Sequence, residues 1–123
     1  MRFAEADSSG GYRIEAYGPD GIRVAGRTLK AGLILTPERL IEGWGPAEAL
    51  GLGAGHFGPL IELQPELILL GTGRTQVFPE PGVYFGVLEL GIGLEIMDTG
   101  AACRTYNILM AEGRRVAAGL LPL

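Results

Sequence analysis

Hydrophobic residues in this chain fall into short runs broken by glycine and proline, and the spacing within the runs changes along the sequence. Residues 12–17 alternate, with Tyr12, Ile14 and Ala16 on one side and Arg13, Glu15 and Tyr17 on the other. Gly18-Pro19-Asp20-Gly21 is a turn signal, and Ile22, Arg23, Val24 and Ala25 alternate again. This pattern predicts an antiparallel hairpin with one wet face. Leu33, Ile34, Leu35 and Thr36 read as a third strand ended by Pro37, and residues 40–44 as a fourth. Trp44 lies between glycines ahead of Pro46, where an indole caps one end of a core with its N–H partnered. Residues 46–58 read as loop, with a turn of helix at 46–50. Phe57, Leu60 and Ile61 then have the i, i+3, i+4 spacing of a short amphipathic helix, in whose first turn Pro59 is tolerated.

The second half is more regular. Leu67, Ile68, Leu69 and Leu70 form a continuous apolar run stopped by Gly71, the signature of a strand buried on both faces inside a sheet. Residues 82–90 place Val83, Val87 and Leu90 on one face of a short helix that Gly91 ends. Residues 93–97 follow as a strand, and strand, helix, strand is the right-handed crossover that makes parallel neighbours. Asp98 and Thr99 supply an N-cap to a helix running to about Glu112, with Ala102, Tyr106, Leu109 and Met110 on its apolar face and Gly113 as its stop. Residues 116–121 are apolar enough for a central strand or for one that pairs with another chain. The expected organisation is a flexible leader over residues 1–10 and a single α/β domain over residues 11–123.

Composition narrows the function classes. With 123 residues the chain is one domain with room for a real core, and 21 glycines and 8 prolines imply short elements joined by tight turns. A net charge of −4 lacks the basic stripe that a nucleic-acid binder needs to neutralise phosphates. Glu89 and Glu95 break the longest hydrophobic zone, residues 83–97, so no membrane-spanning helix is expected. One cysteine, Cys103, excludes an internal disulfide and suits a reducing compartment, and the acidic first residues lack the apolar core of a secretion signal. The expected setting is bacterial cytoplasm. One histidine and one cysteine cannot assemble a zinc site, and no metal or other cofactor is expected.

Chemistry is sparse. In Gly71-Thr72-Gly73-Arg74-Thr75 the glycines allow a tight turn whose N–H groups could hold an anion clamped by Arg74. A nucleotide is not indicated, because position 76 is Gln76 where a dinucleotide fingerprint needs glycine, and no Gly-Lys-Thr follows. A purely structural turn is the leading reading. Cys103, His56 and Asp98 make a nucleophile, base and acid on paper, yet Cys103 lies on a helix face meant for the core. No catalytic residue is assigned. Arg104 and Asn107 share a non-apolar face of the last helix, close after a strand end. The candidate binding set is therefore Gly71, Thr72, Gly73, Arg74, Thr75, Asp98, Arg104 and Asn107, gathered in one polar cleft at adjacent strand ends.

The run Leu67 to Gly73, then Gly91-Ile92, Asp98-Thr99-Gly100-Ala101-Ala102-Cys103-Arg104-Thr105-Tyr106-Asn107-Ile108-Leu109 and Glu112-Gly113-Arg114-Arg115-Val116-Ala117-Ala118 resembles a known family. It is the small-domain family of unknown function that includes mitochondrial NADH dehydrogenase assembly factor 3. The resemblance implies a three-layer α/β domain with a mixed, largely parallel central sheet, flanking helices and an N-terminal β hairpin. It also implies a non-enzymatic, assembly-factor-like role through a protein partner, since the mitochondrial relative helps assemble respiratory complex I and has no established enzymatic activity. Homodimerisation through a strand edge or apolar patch is a further expectation. The alternative is a small-molecule or anion-binding protein, or an enzyme, that uses the turn at residues 71–75.

Overall fold

The computed structural model describes residues 11–123, so the expected leader at residues 1–10 lies outside the described residues. Chain order is β1 (Ile14–Gly18), β2 (Gly21–Val24), β3 (Arg27–Leu29), β4 (Leu33–Leu35), β5 (Leu40–Glu42), two 3₁₀ turns (Ala49–Gly51 and Ala54–Phe57), α1 (Gly58–Glu62), β6 (Leu67–Gly71), α2 (Pro81–Glu89), β7 (Gly93–Met97), α3 (Thr99–Ala111) and β8 (Val116–Leu120).

A five-stranded sheet in the order β5-β4-β8-β6-β7 forms the middle layer. β6 pairs parallel with β7 and with β8, while β4 pairs antiparallel with β5 and β8, so the sheet is mixed. The apolar run of β6 does lie inside the sheet, and Ile68, Leu69 and Leu70 are fully buried. β8 resolves its open alternative: all five of its residues are buried between β4 and β6.

Alternation along these strands divides the core into two faces. Leu33, Leu35, Leu69, Val116, Ala118 and Leu120 pack with Ala102, Cys103 and Tyr106 of α3 and with Ile14, Ile22, Val24 and Leu29 of the N-terminal strands. Ile34, Ile68, Leu70, Ala117 and Leu121 pack on the other side with Trp44, Phe57, Leu60 and Val87. Each such large aliphatic or aromatic side chain contributes about 1.5–3 kcal/mol on burial, so these two faces carry most of the folding free energy. The exposed ion pairs Arg23–Glu15 and Arg27–Glu42 add little beside them.

Trp44 behaves as its sequence setting suggests. It is buried and its Nε1–H donates to the His56 carbonyl at 2.8 Å. Its ring lies over Gly119, where an added Cβ would sit 2.7 Å from Cη2.

The hairpin is there, with a third strand that the sequence reading passes over. Ala25 and Gly26 both have positive φ, 53° and 78°, and so form a two-residue hairpin turn. β3 then pairs antiparallel with β2. Ala25 in a left-handed conformation gives no sequence signal, and exposed Arg27 and Thr28 show no apolar period.

Candidate functional site

β6 ends where α3 begins beside it. A Cβ on Gly71 would meet Thr99 Oγ1 at 2.9 Å and Leu120 Cδ2 at 3.0 Å, so glycine is what lets the helix N-terminus close over the strand end. Asp98 caps α3 by accepting from the Ala101 N–H at 2.8 Å. Thr99, fully buried, is the pin of the junction. Its Oγ1 accepts from the Gly73 N–H and donates to the Leu121 carbonyl, both at 2.8 Å, while its own N–H donates to the Gly73 carbonyl.

Thr72 fixes the loop itself. Its hydroxyl donates to the Thr75 carbonyl at 2.6 Å, reaches the Met97 carbonyl at 3.2 Å and accepts from the Val77 N–H at 3.0 Å. The Thr72 N–H donates to the Met97 carbonyl. The N–H groups of Thr72 and Gly73 are thus spent within the protein and do not face a ligand. Thr72, Gly73, Arg74 and Thr75 instead line an open cleft of about 410 Å³ together with Ala47, Glu48, Leu50 and Pro122. Arg74 is exposed and, among the described residues, makes no ion pair.

Arg104 and Asn107 lie elsewhere. Asn107 exchanges two hydrogen bonds with the Ile14 backbone, Nδ2–H to the carbonyl and Oδ1 from the N–H, both 2.8 Å. Tyr106 donates from its hydroxyl to the Tyr12 carbonyl at 2.8 Å, and Arg104 donates to the Tyr17 hydroxyl. The polar side of α3 therefore docks the N-terminal sheet. A second cleft, about 350 Å³, is lined by Glu15, Tyr17, Arg104 and Asn107 and shares no residue with the first. The structure divides the expected single cleft in two because α3 places these side chains against β1 rather than toward the β6 end.

The paper triad is not assembled. Cys103 belongs to the core face under α3, and burial pushes its thiol up to about 12, against the help of Arg104. His56 sits with Trp44 on the opposite side of the sheet, and its Nδ1 accepts from the Gly53 N–H at 2.9 Å. Burial likewise raises the Tyr106 phenol, and hydrogen bonding to Tyr17 raises Arg104 further. At the other end of β6, the Arg115 N–H and then the Arg114 guanidinium hold the Glu66 carboxyl below its usual range. Among the described residues no group of histidine, cysteine and carboxylates is placed to hold a metal ion, and no helix is long and apolar enough to cross a membrane.

One surface has no counterpart in the expected site. α2 is apolar nearly all round, with Glu89 its one charged residue and Val87 its one buried residue. Phe85 and Leu88 are 55% and 48% exposed, and Phe78 and Leu90 on its flanks are 64% and 62% exposed. A helix apolar on every side is normally buried on every side. The signal was available in the sequence as the missing polar face of residues 81–90.

Residues 14–121 match the family described as "Protein of unknown function (DUF498/DUF598)". A protein of Rhodobacter capsulatus, described as uncharacterized, is 35% identical over 97% of this chain and 91% of its own length. Mouse NADH dehydrogenase [ubiquinone] 1 alpha subcomplex assembly factor 3 is 29% identical over 89% of this chain, which spans 60% of the mouse protein. Among solved structures, a crystal structure of a Bordetella parapertussis protein superposes with a TM-score of 0.87 at 38% identity, covering 93% of this chain and 98% of that one.

Proposed function

From a chain that belongs to the DUF498/DUF598 family, with relatives named as assembly factors of NADH dehydrogenase, we infer a non-enzymatic protein-interaction domain that acts in an assembly-factor-like way. The observation that carries this reading is the exposed apolar exterior of α2. Leaving Phe78, Phe85, Leu88 and Leu90 in water forgoes burial worth about 1.5–3 kcal/mol for each side chain, a cost that a partner would offset. The polar groups at the end of β6 support the same reading, since Thr72 and Thr99 spend their hydroxyls on the fold rather than on a ligand.

The test is affinity purification of the tagged chain from its own organism in mild detergent, compared with Phe85→Ser and Arg74→Ala. Partners that are captured reproducibly, bind again as purified proteins and are lost with Phe85→Ser support the reading. A chain that captures nothing overturns it.

A second reading rests on Arg74, exposed beside the 410 Å³ cleft. There a small anion would bind through the guanidinium and would raise the melting temperature by mass action. A metabolite panel that produces no shift, or a shift that Arg74→Ala retains, overturns this alternative.

A further inference from the structure

We propose that the open edge of β7, with the outward face of α2, binds an extended segment of a partner protein in which apolar residues alternate with lysine or arginine; this rests on the protein-interaction reading above. Among the described residues β7 is an outer strand and pairs only with β6. The Gly93 N–H donates to the Glu66 carbonyl at 3.0 Å, and the Met97 carbonyl accepts from Thr72 at 2.9 Å. By the alternation of a parallel ladder, Gly93, Glu95 and Met97 turn their backbone groups toward β6, while Leu94 and Ile96 turn theirs toward the open side. Gln76 holds one of these, donating from Nε2 to the Ile96 carbonyl at 3.0 Å. That exposed side chain is one that an incoming strand's N–H could displace. The strand has no lysine, proline or bulge of the kind that usually blunts an edge, only Glu95.

Side-chain direction fixes the pattern of the segment. Leu94 and Ile96 pack on the α2 side of the sheet, and Met97 packs on the other. Glu95 points to the same side as Met97, since residues two apart share a face. A strand added at the edge would lay every second residue on the α2 side. There, on α2 and its flanks, Phe78, Phe85, Leu88 and Leu90 together leave on the order of 400 Å² of apolar surface in water. The intervening residues would stand beside Glu95, where a cation across the strands is favourable.

Charge decides among occupants. From Thr75 to Cys103 there is no lysine, arginine or histidine, while Glu80, Glu89 and Glu95 are exposed. Asp98, the remaining carboxylate there, is engaged in capping α3. A second copy pairing antiparallel about a two-fold axis centred on β7 would set Glu95 against its own equivalent, and like charges directly opposite are destabilising. An anionic lipid surface is repelled in the same way. A basic strand with apolar partners is the complementary occupant.

The test is selection of a random twelve-residue peptide library on the full chain, followed by titration of the enriched peptides. Enriched sequences are expected to alternate apolar and basic residues and to lose at least tenfold in affinity with Phe85→Ser and with Glu95→Lys. Affinity is also expected to fall as salt is raised, and the Leu94 and Ile96 amides to gain protection from exchange. Both substituted side chains are solvent-exposed, so unchanged melting temperatures will show that each variant folds. Selection that yields no binder, or peptides without the alternation, overturns the proposal, as does binding that survives both substitutions. Peptides lost with Arg74→Ala instead would place recognition at the β6 end and leave the interaction reading standing without this surface. A dimer in light scattering that Phe85→Ser dissociates would assign the surface to a second copy and also overturn the proposal.

Discussion

Replacing Thr99 by valine keeps the shape of the side chain and removes its hydroxyl, which isolates the hydrogen bonds that join β6, α3 and the end of β8. In the native protein that hydroxyl accepts from the Gly73 N–H and donates to the Leu121 carbonyl, each at 2.8 Å, in a site with no solvent exposure. Valine leaves one buried donor and one buried acceptor without that partner, and each such loss costs about 1–3 kcal/mol. The expected total is about 2–6 kcal/mol, a large part of the roughly 5–15 kcal/mol that holds a domain folded. For a chain of this size a loss of 3 kcal/mol lowers the melting temperature by about 10 °C. Thr99→Ser is the control, because it keeps the hydroxyl and removes one buried methyl, at about 1 kcal/mol. Urea titrations of the three proteins should show a midpoint falling in the order native, serine, valine with unchanged slope. Hydrogen exchange should show the Gly73 amide losing protection in the valine variant alone. A valine variant as stable as the serine variant would refute the role of the hydroxyl as the pin of this junction.

Other consequences follow from the same packing. Gly119→Ala would press a methyl to 2.7 Å from the Trp44 ring and 3.1 Å from Leu60, so a loss of about 1–3 kcal/mol and a shifted Trp44 emission are expected; native stability and an unchanged spectrum would show that the ring yields freely. Asn107→Leu removes both hydrogen bonds to Ile14 and should cost about 1–3 kcal/mol. Its mark in hydrogen exchange is faster exchange in β1 and β2 with β6 and β8 unaffected, and uniform change would contradict local docking. Cys103, protonated in the fold by burial, should resist a thiol reagent until urea unfolds the chain. Its folded pKa of about 12 stands above the ordinary 9.0, so the unfolded chain releases this proton first as pH rises. Stability from this group is full below pH 9 and is lost between 9 and 12, and Cys103→Ala should flatten that decline.

Elements whose signals are local can be read from the residues alone. The apolar run of β6, the Asp98 cap of α3, the positive-φ stop at Gly113 and the crossover through α2 all follow from side-chain period and backbone preference, which act within a few residues. The family was legible for the same reason, in the run from Asp98 to Leu109 together with the β6 strand. Long-range packing set the rest. β8 became the central strand because Ala117, Ala118 and Gly119 are small enough for both layers to close on it, a fact that depends on Trp44 and Leu60 arriving from distant positions. The expected site was divided because Arg104 and Asn107 found partners in β1, 87 and 93 residues away, and a sequence period does not show which face a polar side chain will meet. The exposure of α2 was settled last and by subtraction: its apolar residues are visible in the sequence, but only the packed layers show that Val87 is covered, Val83 and Tyr84 in part, and that Phe85 and Leu88 are left in water.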